Sequence, residues 1–210
     1  MFEHETAARA AFFDAEAGAW DGRVASPAFL ARLREAVDGL APGADEVILD
    51  LGCGTGNLTA ELRRRLSPDG RVLAADISEG MLTIARTKIG DDPRVTWLHT
   101  DAAGLPVPCG SVDRVICFSA WPHFPHPEAV AVEMGRLLRP GGMLHVLHVD
   151  GRETINRIHC HAGGPVRHDL LPEAASLAAL LENAGFELVR TVDVDDRYEV
   201  SAVWPGSAGR

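Results

Sequence analysis

The chain has 210 residues, 46% of them hydrophobic and 24% charged, the length and balance of one globular domain with a sizeable core. Its formal net charge of −10, with no basic run denser than Arg63-Arg64-Arg65, would repel a phosphate backbone and argues against nucleic acid as a partner. No apolar stretch is long enough for a membrane span, and the early acids of MFEHETAARAAFF are wrong for a signal peptide, so a cytoplasmic protein is expected.

Residues 5–20 are expected to be helical, with Ala7, Ala8, Ala11, Phe12 and Ala15 on one face. Ser26 and Pro27 read as the N-cap and first residue of a second helix. Its apolar stripe is Phe29, Leu30, Leu33, Val37 and Leu40, and Ala41-Pro42-Gly43 ends it. The short apolar run 46–51 then breaks into glycine, the pattern of a strand buried on both faces. Gly52, Gly54 and Gly56 make a tight turn, and Leu58, Leu62 and Leu66 predict a helix over 56–67 directly behind it. Strand, glycine turn and helix N-terminus form the geometry that receives nucleotide cofactors. The spacing is G-x-G-x-G behind Asp50, not G-x-G-x-x-G, and no Lys-Ser/Thr follows to cradle phosphates.

A strand over 71–76 ends on Asp76, 20 positions after Gly56, where a carboxylate can accept from ribose hydroxyls. A helix over 79–89, a strand over 94–98, a proline-rich loop over 103–111 and a strand over 112–118 follow. After the loop Trp121–Pro127 come a helix over 127–138 and a strand over 142–149. This alternation implies a parallel sheet with right-handed crossovers. The rhythm then breaks. A short helix over 152–161 ends at Gly163-Gly164-Pro165, another runs from Leu171-Pro172 to Gly185, and the β-type runs 186–194 and 197–204 are close enough for a hairpin. The four cysteines form no C-x-x-C pair and read as free thiols.

Four segments, in order, resemble the motifs of class I S-adenosylmethionine-dependent methyltransferases of the small-molecule type. They are Leu49-Asp50-Leu51-Gly52-Cys53-Gly54-Thr55-Gly56, the run Ala75–Leu82, His99-Thr100-Asp101-Ala102, and Leu138-Arg139-Pro140-Gly141-Gly142. The resemblance spans roughly residues 10–150. It implies an α/β fold with a doubly wound, Rossmann-like seven-stranded sheet, mostly parallel with a C-terminal antiparallel hairpin. Residues 1–210 would form a single methyltransferase domain: N-terminal helices and lid over 1–45, cofactor core over 46–149, cap insertion over 150–171, and C-terminal helix and hairpin over 172–210. It also implies S-adenosylmethionine as cofactor, approached by Gly52, Gly54 and Gly56, with Asp50 orienting the loop or the amino group. Asp76 would hold the ribose, Ile77 and Met81 would face the adenine, Asp101 and Ala102 would meet its amino edge, and Cys117 or Phe118 would lie near the sulfonium. Phe12-Phe13-Asp14 and Trp20-Asp21 resemble the family's lid segment; a packed amphipathic helix is the alternative.

Nine histidines are many for this length. His123, His148 and His159 fall in segments that converge on the acceptor side. Three readings compete: in one, His123 is a general base, with His148 beside it as a second catalytic candidate. Alternatively His123, His148 and His159 bind a divalent transition metal, or are ordinary polar or core residues. Strand alternation puts His145 on the face opposite His148. Arg152, Asn156 and Arg167 could pair with a substrate carboxylate or be solvated helix charge. The expected activity is methyl transfer to a small-molecule acceptor, because little chain is left for a macromolecule-binding appendage. A non-catalytic cofactor-binding scaffold is the alternative from another class, and oligomeric state is left open.

Overall fold

The computed structural model describes residues 2–206. In chain order the elements are α1 (Phe2–Val24), α2 (Pro27–Leu40), β1 (Val47–Leu51), α3 (Asn57–Arg63), β2 (Arg71–Asp76), α4 (Glu79–Ile89) and β3 (Val95–His99). Then follow β4 (Val112–Phe118), α5 (Pro127–Leu137), β5 (Leu138–His148), α6 (Arg152–His161), α7 (Ala174–Asn183), β6 (Glu187–Val194) and β7 (Arg197–Val203). The strands make one sheet in the order β3-β2-β1-β4-β5-β7-β6. The first five are parallel, and β7 pairs antiparallel with both β5 and β6. This is the doubly wound, mostly parallel seven-stranded sheet with a C-terminal antiparallel hairpin that the sequence implied. Among the described residues no helix is long and apolar enough to cross a membrane.

One layer of the core packs α2, α3 and α4 on the sheet through Leu33, Val37, Leu58, Leu62, Leu82 and Ile89. The other packs α5 and α7 through Val130, Met134, Leu137, Leu177 and Leu181. Local signals start the helices. Ser26 Oγ accepts from Phe29 N at 3.2 Å with Pro27 at the first helical position, and Ser78 Oγ accepts from Met81 N at 3.0 Å.

Several expected boundaries move. The first helix runs past both expected ends. Helix α3 stops at Arg63 and not at 67, because its last turn tightens, Arg65 N donating to Leu62 O, to lead the chain into Ser67-Pro68. Strand β5 begins at Leu138, where a register shift between Val112 and Arg114 lets the Pro140-Gly141-Gly142 turn stay in the sheet. Helix α7 begins at Ala174, past the proline.

His145 is structural. Arg114 Nη1 donates to its Nε2 at 2.7 Å, its Nδ1 donates to Ser201 Oγ at 2.8 Å, and Ser201 donates to Glu199 Oε1 at 2.8 Å. Burial and the neighbouring guanidinium push its pKa down to about 4, so this chain across β4, β5 and β7 runs through a neutral ring.

Leu62 is fully buried where α3 meets the sheet below the glycine turn. Leu62→Ala is expected to cost about 2–5 kcal/mol. Urea unfolding would read this as a lower midpoint at unchanged slope.

Candidate active site

At the carboxyl ends of β1, β2, β4 and β5 the loops enclose a cavity of about 750 Å³, roofed by α1 and α6. That is within the range of small-molecule sites. One end is built on the glycine turn. Gly52 N and Cys53 N donate to Ala75 O at 2.9 and 3.0 Å, which ties the turn to β2. Gly52 has φ +73°, and a Cβ there would lie 2.5 Å from Ala120 Cβ, so only glycine lets the loop after β4 close over the turn. Asp76 holds the turn from the other side: Oδ2 accepts from Gly54 N at 2.8 Å and Oδ1 from Ser78 N at 2.9 Å. Burial raises its pKa against these two bonds, and each oxygen keeps a lone pair for a ligand hydroxyl. Asp50 lies beneath, accepting from Thr59 Oγ1 at 2.5 Å. Burial and the charge of Asp76 push its pKa up to about 7 despite that bond.

Asp50, Gly52, Gly54, Asp76, Ile77, Met81, Asp101 and Ala102 all line the cavity. Two expected residues do not. Cys117 is fully buried in the core, its thiol pushed up by burial; strand alternation gives the cavity Phe118 instead. Gly56 caps α3 with φ +79°, and a Cβ there would meet Ala85 Cβ at 3.0 Å, so its role is helix packing.

Helix α1 lies across the opening and contributes Phe12, Phe13 and Trp20 to the lining. It is latched to the glycine turn and to the loop after β2. Asp14 Oδ1 accepts from Ser78 Oγ at 2.6 Å and Gly80 N at 2.8 Å; these bonds lower its pKa. Asp21 Oδ1 accepts from Thr55 Oγ1 at 2.5 Å and Asn57 Nδ2 at 3.3 Å, and its other oxygen pairs with Lys88 at 2.7 Å. Trp20 and Phe13 meet edge to face at 5.7 Å, and Phe13 meets His123 at 5.0 Å.

The far end is organised by Asp169, a residue sequence reasoning missed. Its carboxylate accepts from Arg9 Nη2 at 2.6 Å and Nε at 3.1 Å, and from His123 Nδ1 at 3.0 Å. Its backbone oxygen accepts from His159 Nδ1. Burial opposes ionisation of Asp169, but the bonds from His123 and Arg9 outweigh it and keep its carboxyl below the usual range. Both histidines are thereby fixed with the proton on Nδ1, leaving Nε2 as an acceptor. Their rings are 4.8 Å apart. His148 completes the wall. It is 2% exposed, neither ring nitrogen has a hydrogen-bond partner, and burial, followed by the nearness of the titratable His123 and His159 rings, pushes its pKa down to about 3.

The three histidines expected as alternative metal ligands do meet around one cavity. Among the described residues no group of three or more His, Cys, Asp or Glu is placed to hold a metal ion. Two of the cap residues weighed for a substrate carboxylate are engaged elsewhere. Arg152 pairs with Asp193 at 3.2 Å, and Asn156 exchanges hydrogen bonds with the Leu171 backbone at 3.1 and 2.7 Å. Arg167 does not line the cavity either. No spacing motif connects residues 9, 123, 159 and 169, which meet only through the fold.

Removing the Asp21 carboxylate should loosen α1 without unfolding the sheet. Asp21→Ala is expected to speed amide exchange in α1 by about 5- to 30-fold, the loss of roughly 1–2 kcal/mol of local hydrogen bonding, while β1 and β4 stay protected. Unchanged protection in α1 would contradict the latch.

Comparison with known proteins gives the family and the fold. The family described as methyltransferase domain matches residues 48–142. A 2-phytyl-1,4-naphthoquinone methyltransferase from Thermosynechococcus vestitus is 32% identical over 177 residues, which cover 74% of this chain and 78% of that protein. The methyltransferase GfsG of Streptomyces halstedii is 33% identical over 164 residues, 73% of this chain and 57% of its own. The chain thus spans only about half the length of some curated relatives it matches. An S-adenosylmethionine-dependent methyltransferase from Aquifex aeolicus shares the fold, with TM-score 0.72 and 23% identity over 90% of this chain and 97% of that one.

Proposed function

The chain belongs to the S-adenosylmethionine-dependent methyltransferases, and from that premise we propose that its acceptor is a small, flat, hydroxylated molecule activated by His123. The observation that carries this reading is the His123–Asp169 pair in a cavity that continues to the glycine turn. The cofactor end suits S-adenosylmethionine. Gly52 and Gly54 take positive φ where side chains would obstruct, and Asp76 offers lone pairs to hydroxyls. Asp50 is a buried carboxyl that a cationic amino group would ionise. When bound, the cofactor supplies a methyl group on a positively charged sulfur that needs no further activation.

What remains for the protein is to position the nucleophile, exclude water and take a proton. The lid and the aromatic lining exclude water. Asp169 orients His123 so that Nε2 can receive the proton of an acceptor hydroxyl, and stabilises the imidazolium that forms. A phenol deprotonated in this way can attack through oxygen or through the adjacent ring carbon. The apolar lining supports a flat ring. The Thermosynechococcus relative is named for a naphthoquinone, and we carry that acceptor class over as part of this proposal.

His123→Gln is expected to lower kcat by about 10²- to 10⁴-fold with KM and S-adenosylhomocysteine affinity nearly unchanged. Equal turnover by variant and wild type on a hydroxylated naphthalene would overturn the role.

The Asp50 shift gives a pH dependence. A bound cation favours the ionised carboxylate, so affinity rises as Asp50 loses its proton through about pH 7. Calorimetry should find S-adenosylhomocysteine bound about tenfold more tightly at pH 8 than at pH 6, and Asp50→Asn should flatten that difference. The opposite trend, or a flat wild type, would remove Asp50 from contact with the amino group.

A further inference from the structure

We propose that His148 and His159 form a second polar subsite in the acceptor cavity, which binds a second oxygen of the acceptor beside the hydroxyl that meets His123. The cavity would then select rings carrying two oxygens. This rests on the reading of His123 as the base.

The argument starts from an unmet need. His148 is buried at the end of β5 and lines the cavity, yet both its ring nitrogens lack a partner. A buried imidazole left so is destabilising relative to one with its hydrogen bonds made. Tyr198, its cross-strand neighbour, meets it edge to face at 5.8 Å, which fixes the ring without satisfying its nitrogens. A neutral imidazole offers one donor and one acceptor, the complement of a hydroxyl or a carbonyl. His159 adds an acceptor, because its Nδ1 proton is committed to the Asp169 carbonyl. His123 is an acceptor for the same kind of reason. The wall therefore holds two acceptor nitrogens and one ambivalent ring, and suits a ligand rich in O–H donors.

Charge narrows the class. An anionic substituent would need a free cation. The three arginines that reach the cavity, Arg9, Arg23 and Arg32, are paired with Asp169, Glu16 and Asp150. The rest of the lining, with Phe12, Phe13, Trp20, Phe29 and Phe118, suits the faces of a flat ring system.

The test compares two probes that differ by one hydroxyl, 1,4-dihydroxynaphthalene kept reduced and 1-naphthol, titrated calorimetrically into the S-adenosylhomocysteine complex. Wild type should bind the diol at least about tenfold more tightly. His148→Phe should erase that preference while leaving 1-naphthol affinity unchanged. His159→Leu, at a less buried position, should reduce the preference and serves if the first variant does not fold. Equal affinities in wild type, no binding of either probe, or a preference kept in both variants would overturn the subsite. Because the readout is binding, a diol preference combined with full activity of His123→Gln would sink the base and leave the subsite standing. Loss of activity in His123→Gln with equal probe affinities would do the reverse.

Discussion

The carboxylate of Asp76 joins the two loops on which the site is built. One oxygen holds the amide of Gly54 at the end of β1 and the other holds Ser78 at the start of α4. Without that bridge the glycine turn has one anchor on β2, the amides of Gly52 and Cys53 on Ala75 O. With it, Ser78 is placed to cap α4 and to receive Asp14, so the seat of the lid depends on the same carboxylate. The backbone strain of a left-handed turn is tolerated because glycine removes the Cβ that would strike Ala120.

A second carboxylate does for the far end of the cavity what Asp76 does for the end at the glycine turn. Asp169 joins three parts of the chain far apart in sequence: Arg9 on α1, His123 after β4 and His159 on α6. Arg9 and His123 share one carboxylate, so the seating of α1 and the orientation of the His123 ring are coupled in one cluster. Under the proposed role of His123 as base, displacing α1 would take Arg9 from Asp169 and expose the pair to water, which weakens both interactions.

Much of this was legible in the sequence, for local reasons. The sheet follows from apolar runs alternating with helical periodicity, and the cofactor end from glycines and acids at strand ends, where topology puts ligands. The errors are equally physical. Cys117 and Phe118 are neighbours on β4, and period-two alternation could not say which faced the cavity; the structure turns Phe118 toward it. Gly56 carries the right motif but meets Ala85, a packing constraint invisible without α4 in place. Asp169 lay in the cap without periodicity or motif to mark it. The histidines stood out by number, but His145 serves the sheet and His123 the cavity, and only their partners distinguish them.

The most direct test of His123 as the base uses the acidity of the acceptor. Turnover by wild type and His123→Gln is compared on ring-substituted naphthols whose hydroxyls ionise at progressively lower pH. If His123 takes the proton, the deficit of the variant shrinks along the series and nearly vanishes for acceptors already ionised at the assay pH. A deficit that stays constant whatever the acidity of the hydroxyl would contradict the account and leave His123 as a packing or binding residue.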